Sequence, residues 1–300
     1  MTISTRVYND QAVLAINRLN ADLQKIQGQI SSGKTTSQAS ENPTGAVNAS
    51  FVRDQKQMLD RFETNIERAH TNLVLTEVTL EDSVNVLKRA YELTIQADND
   101  VLTATDRRAI GLEITQLKDA LMGLANTRDY NGDYLFSGYR VTTRPFVENA
   151  EAEVEFQGDR GSHQVQISET LRVKTGLDGA EVFMRVPTPH GTKDAFATLT
   201  AIENRLMAGE KHSEGVEEMR LAIEHVTNQQ TVVGAQINKI DFQKDVIGSR
   251  QQLLSENLSE LEDADIAALV TELQSKILNR DASQQAFIKI SQQSLFDYLR

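Results

Sequence analysis

One heptad-like pattern dominates the second half of this 300-residue chain. Between Met219 and Leu261 the mostly apolar positions alternate in steps of four and three, and no proline occurs from Asp194 to Arg300. This spacing predicts one continuous α-helix, because the apolar side chains then form a stripe along one face. At 1.5 Å per residue, the helix would be roughly 65 Å long. Such a helix needs a partner of similar length to bury its stripe.

Residues 46–96 are the only internal candidate for that partner. They lack proline and carry a second seam with strict 3/4 spacing, which starts at Leu59. The sequence therefore predicts a mainly α fold, a long coiled-coil-like helical rod built from both chain ends. We expect the core of the rod to contain fourteen apolar residues. They are Leu59, Phe62, Ile66, Leu73, Leu80, Leu87, Ile223, Val226, Val233, Ile237, Ile240, Ile247, Leu254 and Leu258.

The middle of the chain has a different pattern, short and alternating. Asn131-Gly132 favours a tight turn with positive φ, and a third helix before it is expected to be capped near Thr105 or Asp106. From about residue 134 to 186 the alternation predicts strands of a small antiparallel β module. Gly158–Gly161 is predicted to be a hairpin turn, and Val182 with Phe183 is predicted to form the last strand.

These patterns predict three parts. A terminal helical assembly domain comprises 1–40 plus 262–300, a helical rod domain comprises 41–135 plus 192–261, and an outer β domain comprises 136–191. Gly33 is a plausible end of the first helix, and the polar stretch 31–45 reads as a loop. Short connections around one mid-chain insert bring both chain ends together.

Both terminal segments carry apolar seams that are too narrow to form a globular core. Burial of each such side chain contributes about 1.5 to 3 kcal/mol, so contact with other subunits would stabilise them. We therefore predict that the ends order on assembly, although docking on the chain's own rod is an alternative. The predicted assembly interface comprises Val7, Leu14, Ile16, Leu19, Leu23, Ile26, Ile30, Ile266, Leu273, Ile277, Phe287, Leu295, Phe296 and Tyr298.

Several kinds of chemistry are not expected. The chain has no cysteine and a formal net charge of −12, which argues against thiolate metal sites and against binding to a phosphate backbone. No stretch approaches the length of a membrane span. Asp129, Asn131 and Asp133 alternate as calcium ligands do, but no Glu completes the loop. We predict no cofactor, no metal site and no catalysis.

Four short motifs resemble the flagellins and their relatives at the hook–filament junction of the bacterial flagellum. Ile30-Ser31-Ser32-Gly33-Lys34, followed by Asn42-Pro43-Thr44-Gly45-Ala46, is similar to the family's first interhelical loop. The stretch Asn131–Gly138 (NGDYLFSG) and the ending Ser294–Leu299 (SLFDYL) resemble the junction subunits more than flagellin. This resemblance extends over most of the chain.

The resemblance implies a structural adaptor with several partners. These would be a ring of identical subunits, a neighbouring hook-associated protein, flagellin, and a cytoplasmic export chaperone on the C-terminal helix. The protein would be secreted through type III export and located in the flagellum, after a transient stay in the cytoplasm. A small flagellin that forms the filament itself is the alternative within the family. A cytoplasmic or membrane-associated helical sensor or scaffold and, more distantly, an enzyme are the alternatives outside the family.

Overall fold

The computed structural model describes residues 2–36, 38–151, 153–189 and 191–296, with side chains described for all of these except 2–6, 8 and 290–296. Long helices account for most of the chain. In sequence order they are α1 (Thr2–Ser32), α2 (Pro43–Ala97), α3 (Ala104–Ala125), α4 (Ala195–Met207), α5 (Ser213–Glu262) and α6 (Ile266–Phe296).

Among the described residues, three two-stranded antiparallel sheets lie between α3 and α4 in sequence. Their strands are β1 (Phe146–Glu148), β2 (Val154–Phe156), β3 (Gln164–Gln166), β4 (Arg172–Lys174), β5 (Val186–Thr188) and β6 (Gly191–Lys193). The predicted fold class, mainly α with small antiparallel strand pairs in mid-chain, is confirmed.

The chain forms two compact units. Unit 1 consists of Met1–Met58 with Ser249–Arg300, and unit 2 consists of Leu59–Gly248. Both boundaries lie inside continuous helices, α2 and α5. The finer division into three parts stays a prediction.

Unit 1 contains the two terminal helices, and α1 packs along α6. An ion pair joins them, with Lys276 Nζ 2.7 Å from Asp22 Oδ2. Hydrogen bonding to this carboxylate raises the pKa of Lys276. Helix α1 ends where Gly33 adopts a φ of 70°, the left-handed conformation that glycine tolerates best at a helix end. The expected helix stop at Gly33 is therefore confirmed.

In unit 2, contacts between α2 and α5 follow an antiparallel register. His70 Nε2 lies 3.4 Å from Asp241 Oδ1, and Ser213 donates to Asp98 at 2.6 Å. Between these two contacts, Gly234 faces Glu77. Each step forward along α2 is therefore matched by an equal step backward along α5, so the two helices run in opposite directions. The long segment 46–96 is thus the partner that the α5 seam requires.

Helices α3 and α4 form a second packed pair in unit 2. Thr103 and Asp106 form a reciprocal capping box at the start of α3, two residues before the earliest expected position. The prediction of a cap at Thr105 or Asp106 was wrong because Thr105 lies inside the helix, while Asp106 acts as the third helical residue. Gly111 lets the helices approach, since a Cβ there would lie 3.2 Å from Leu206 Cβ.

The strands of the β module (residues 136–191) pair in a different way from the prediction. β2 pairs with β1, and β3 pairs with β4, so Gly158–Gly161 links two separate hairpins instead of turning one. Val182 and Phe183 lie in a π-helical turn, Ala180–Met184, and are not a strand. The hairpin prediction was wrong because local alternation does not specify which strand pairs with which. The strand prediction was wrong because the complete burial of Phe183 outweighs its strand propensity. The predicted positive-φ turn is confirmed, with Gly132 at φ 87°.

A cluster of phenylalanines fills the centre of this region. Phe136, Phe146, Phe183 and Phe196 are completely buried, and Phe156 lies against Phe146 with ring centroids 5.3 Å apart. Aromatic residues make up only 5% of the sequence, yet half of its ten phenylalanines meet here. The aromatic core is therefore local, and elsewhere aliphatic seams between helices supply the burial.

Asp194 caps the N-terminus of α4, where its carboxylate accepts from the backbone N–H of Phe196 at 2.8 Å. Burial raises the pKa of Asp194 to about 6, and backbone hydrogen bonds from Phe196 and Ala197 oppose that shift. The native state then binds this proton more tightly than the unfolded chain does. Its contribution to the free energy of unfolding therefore falls as pH rises from about 4 to about 6 and stays low above that range.

We expect Asp194→Asn to stabilise the protein at pH 7.5 by about 1 to 3 kcal/mol, since one pKa unit corresponds to about 1.4 kcal/mol. Asparagine is a comparable helix cap and carries no charge to desolvate. The two proteins should converge in stability near pH 4. Denaturant unfolding of both at pH 4.5 and 7.5 measures the difference. A less stable Asn variant at pH 7.5 would contradict the expectation.

Candidate assembly surfaces

The terminal helices of unit 1 expose several large apolar side chains. Of the residues predicted to form the assembly interface, Val7, Leu14 and Ile266 are exposed, Leu14 by 57%. The sequence interpretation did not include Leu278 or Ile288, which are exposed by 70% and 52%. These two positions lie off the 3/4 seam, so the spacing gave no reason to select them. They extend the apolar surface beyond the predicted stripe.

Other residues of that interface are covered within the unit. Leu23 and Ile26 are buried, so they need no second subunit to exclude water from them. Six more are half-buried, namely Ile16, Leu19, Ile30, Leu273, Ile277 and Phe287. The backbones of Leu295 and Phe296 belong to α6, but their side chains, and all of Tyr298, lie outside the described residues. Their interface role stays a prediction.

A groove separates α1 from α6 near the chain ends, with a volume of about 250 Å³. Small side chains line most of it, and the larger Ile16 and Phe287 complete the wall. The small residues are Ala12, Ala15, Ser283 and Ala286. The packing of the two terminal helices is thus close near Leu23 and Ile26 and incomplete nearer the chain ends.

Residues assigned to the rod core are mostly inaccessible to solvent. The buried ones are Leu59, Phe62, Ile66, Leu73, Leu80, Leu87, Val226, Val233, Ile240 and Ile247. Ile223 and Ile237 in unit 2, and Leu254 and Leu258 in unit 1, are half-buried. Large aliphatic side chains at seam positions therefore lie inside, as the 3/4 spacing requires.

The residues whose spacing resembles that of calcium ligands form a turn instead. The Asp129 carboxylate accepts from the backbone N–H groups of Asn131 and Asp133 at 2.8 and 3.0 Å, which closes the turn there. Within the described part of the chain, no group of three or more His, Asp or Glu side chains is placed to hold a metal ion. None of the described helices is both long enough and apolar enough to cross a bilayer.

Unit 2 contains a largely buried ion-pair network. Lys118 is almost inaccessible and lies 2.9 Å from Glu203 and 3.8 Å from Glu148. Thr115 donates to the other oxygen of Glu203 at 2.8 Å. The network joins α3, α4 and β1, so it fixes the β module to the helices. All of its charges have partners, as a buried ion pair requires.

Comparison with known proteins identifies the family. The model of the bacterial flagellin N-terminal helical region matches residues 3–141, and the model of the flagellin C-terminal helical region matches residues 216–299. Together the two matches contain all of α2, α3 and α6 and nearly all of α1 and α5. The chain belongs to the flagellin family.

Two relatives and one solved structure illustrate how similar this chain is to known flagellar proteins. Flagellar hook-associated protein 3 of Salmonella typhimurium is 25% identical, with 100% of both chains covered. Flagellin of Bacillus subtilis is also 25% identical, over 95% of this chain and 96% of its own. The crystal structure of hook-associated protein 3 from Legionella pneumophila has a TM-score of 0.66 at 18% identity, covering 71% of this chain and 98% of that one. The last likeness shows a shared fold.

Proposed function

We propose that this protein is a structural subunit of the bacterial flagellum at the hook–filament junction, an adaptor between a neighbouring hook-associated protein and the flagellin filament. The observation that carries the proposal is the alignment with the Salmonella hook-associated protein 3, which covers both chains from end to end. An adaptor needs surfaces for unlike neighbours and no reaction centre. We therefore propose that the protein is not an enzyme.

The terminal surfaces support an assembly role. Exposed apolar side chains on α1 and α6, such as Leu14 and Leu278, are costly in water and become favourable when another chain covers them. The occupants that we propose are identical subunits in a ring, the neighbouring hook-associated protein and flagellin. Before export, a cytoplasmic chaperone on the C-terminal helix would shield the same kind of surface. The mature location is then the flagellum, outside the cell.

A filament-forming flagellin is the second, less supported candidate, because Bacillus subtilis flagellin is also 25% identical, over 95% of this chain. The two roles make opposite predictions about the filament. A junction adaptor is required in a few copies for filament attachment, whereas a flagellin supplies the mass of the filament.

Deletion of the encoding gene tests the proposal. We expect the deletion strain to make hooks without filaments and to release monomeric flagellin into the medium, which immunoblotting of cell-free medium detects. Expression of the unmodified gene from a plasmid should restore filaments. If the strain instead lacked flagellin in both cells and medium, this chain would be the filament subunit. Normal filaments in the deletion strain would contradict both roles.

A further inference from the structure

The sequence contains a single Asn-Gly pair, Asn131-Gly132. Both residues are exposed, and they lie in the turn between α3 and β1 in unit 2. The main-chain nitrogen that follows an asparagine can attack the carbonyl carbon of that asparagine's side-chain amide. Glycine hinders this attack least, because it has no Cβ. Asn131 is therefore the asparagine at which steric hindrance opposes the reaction least.

The reaction is a deamidation, and water is its only co-reactant. The Gly132 nitrogen gives its proton to solvent and bonds to the side-chain carbonyl carbon of Asn131. The bond from that carbon to Nδ2 then breaks, and ammonia leaves after taking up a proton. Water opens the resulting succinimide ring at either carbonyl. One opening yields aspartate, and the other yields isoaspartate, in which the main chain runs through the former side-chain carbon.

The folded turn restrains both reacting groups. Gly132 N–H donates to the Asp129 carbonyl at 3.0 Å, so the attacking nitrogen is engaged. One carboxylate oxygen of Asp129 accepts from the backbone N–H groups of Asn131 and Asp133 at 2.8 and 3.0 Å. The other carboxylate oxygen accepts from Asn131 Nδ2, the leaving nitrogen, at 3.4 Å. Asp129 therefore contacts the nucleophile, the leaving group and the main chain between them.

We propose that Asn131 is a site of spontaneous deamidation and that Asp129 suppresses the reaction in the folded chain. Attack requires the Gly132 nitrogen to leave its carbonyl partner and the Asn131 side chain to rotate toward that nitrogen. Asp129 opposes both movements, and hydrogen bonds to its charged carboxylate are stronger than neutral ones. Local opening of the turn then controls the rate. The proposal goes beyond the proposed function and does not depend on it.

Deamidation would alter a turn that positions the phenylalanine cluster. Leu135 N–H donates to the Thr127 carbonyl at 3.1 Å across this turn. Phe136 follows directly and is completely buried in the cluster. Aspartate would place a third carboxylate between those of Asp129 and Asp133, and like charges repel at this distance. Isoaspartate would lengthen the main chain within the turn. Both products should therefore loosen the entry to the β module.

Mass spectrometry of the full-length protein tests the proposal, because deamidation replaces NH2 by OH in one peptide. In the folded state at mildly alkaline pH, Asp129→Ala should accelerate deamidation of Asn131 on the order of 10-fold, as expected when hydrogen bonds to a charged acceptor are lost. Asp133→Ala is the matched control. It removes the same charge on the other side of Asn131 and leaves the Asp129 carboxylate in place, so its rate should stay close to that of the parent protein.

Denaturant separates protection by the fold from the effect of the local sequence. In denaturant, the parent protein and Asp129→Ala should deamidate at Asn131 at one rate, which is faster than that of the folded parent. Asn99, an exposed loop asparagine that precedes Asp100, should react more slowly than Asn131 there. Circular dichroism shows whether Asp129→Ala is folded during the incubation.

Three results would count against the proposal. Equal rates in the folded and denatured parent protein would show that the turn does not protect Asn131. An unchanged rate in folded Asp129→Ala, or an equal acceleration in Asp133→Ala, would remove the protective role of the Asp129 carboxylate. A slower reaction at Asn131 than at Asn99 in denaturant would overturn the site itself.

Discussion

Replacing Phe183 with alanine is expected to lower the free energy of unfolding by about 3 to 5 kcal/mol, the usual cost of removing a fully buried phenylalanine. Phe183 is completely inaccessible and contacts three other rings. Its centroid lies 5.4 Å from that of Phe136, 5.6 Å from that of Phe146 and 5.9 Å from that of Phe196. The first two pairs meet edge to face, a favourable aromatic geometry. The alanine variant loses all three contacts and leaves a cavity among rigid neighbours.

The consequence should extend beyond the β module. Phe136 follows α3, Phe146 begins β1, and Phe196 lies in the first turn of α4. Phe183 itself lies in the π-helical turn. The same turn contains Glu181, whose carbonyl is 2.8 Å from His225 Nε2 on α5. Loss of the Phe183 ring therefore loosens the element that connects the hairpins to the helices. We expect faster proteolysis within residues 136–191 as well as a lower midpoint of denaturant unfolding.

Phe242→Ala is the matched control, because Phe242 is in the same unit but is 71% exposed. It removes the same atoms from a site that is already largely hydrated, so its cost should stay within about 0.5 kcal/mol. Denaturant unfolding of the two variants and the parent protein measures the loss in free energy of unfolding that each substitution causes. If Phe183→Ala cost no more than Phe242→Ala, the phenylalanine cluster would not be a core.

The long helices could be predicted from the sequence because their signal is repeated many times. The seam from Leu59 and the seam from Met219 each contain many apolar positions at one spacing, so single exceptions do not change the interpretation. Their partnership followed from their similar length, whereas their antiparallel orientation is seen only in contacts such as those of His70 with Asp241 and Ser213 with Asp98. The cap of α3 was misplaced by a few residues because Thr103, Thr105 and Asp106 are all good capping residues. Only the reciprocal bonds between Thr103 and Asp106 decide among them.

The β module could be predicted only as a region. Its strands are three residues long, which is too short for alternation to specify a partner. Val182 and Phe183 look like strand residues by composition, but the burial of Phe183 among other rings outweighs that propensity. The contact between Lys34 and Glu262 gave even less signal, since the two residues are 228 positions apart. The sequence showed two helix breaks, at Gly33 and near Asp263, and nothing in it indicated that they touch.

The assembly interface, too, could be predicted from the sequence only in part. The predicted assembly interface on α1 contains both Leu23, which is buried within the unit, and Leu14, which is not. Heptad spacing identifies a stripe that must be covered, but it does not identify which chain covers it. The structure separates the two groups, and this separation allows an experiment that perturbs assembly without perturbing the fold.

Leu14→Asp combined with Leu278→Asp is therefore expected to abolish filament attachment while leaving the free protein stable. Both side chains are more than half exposed in the monomer, so the free energy of unfolding should change by less than about 1 kcal/mol. In an assembled structure the same carboxylates would have to leave water without a partner, which costs several kcal/mol each. Cells with the double variant should swim poorly and release flagellin into the medium, as the deletion strain does.

The control for the change at Leu278 is Asn279→Asp, which adds one negative charge at the neighbouring exposed position without removing an apolar side chain. It should support normal filaments. Immunoblotting of the medium for the variant itself shows whether it is exported, and this separates failed secretion from failed assembly. If the exported double variant still attached filaments normally, neither leucine would lie in a subunit interface. Exposure of apolar surface on α1 and α6 would then no longer support the proposed role, which would depend on the family alignment alone.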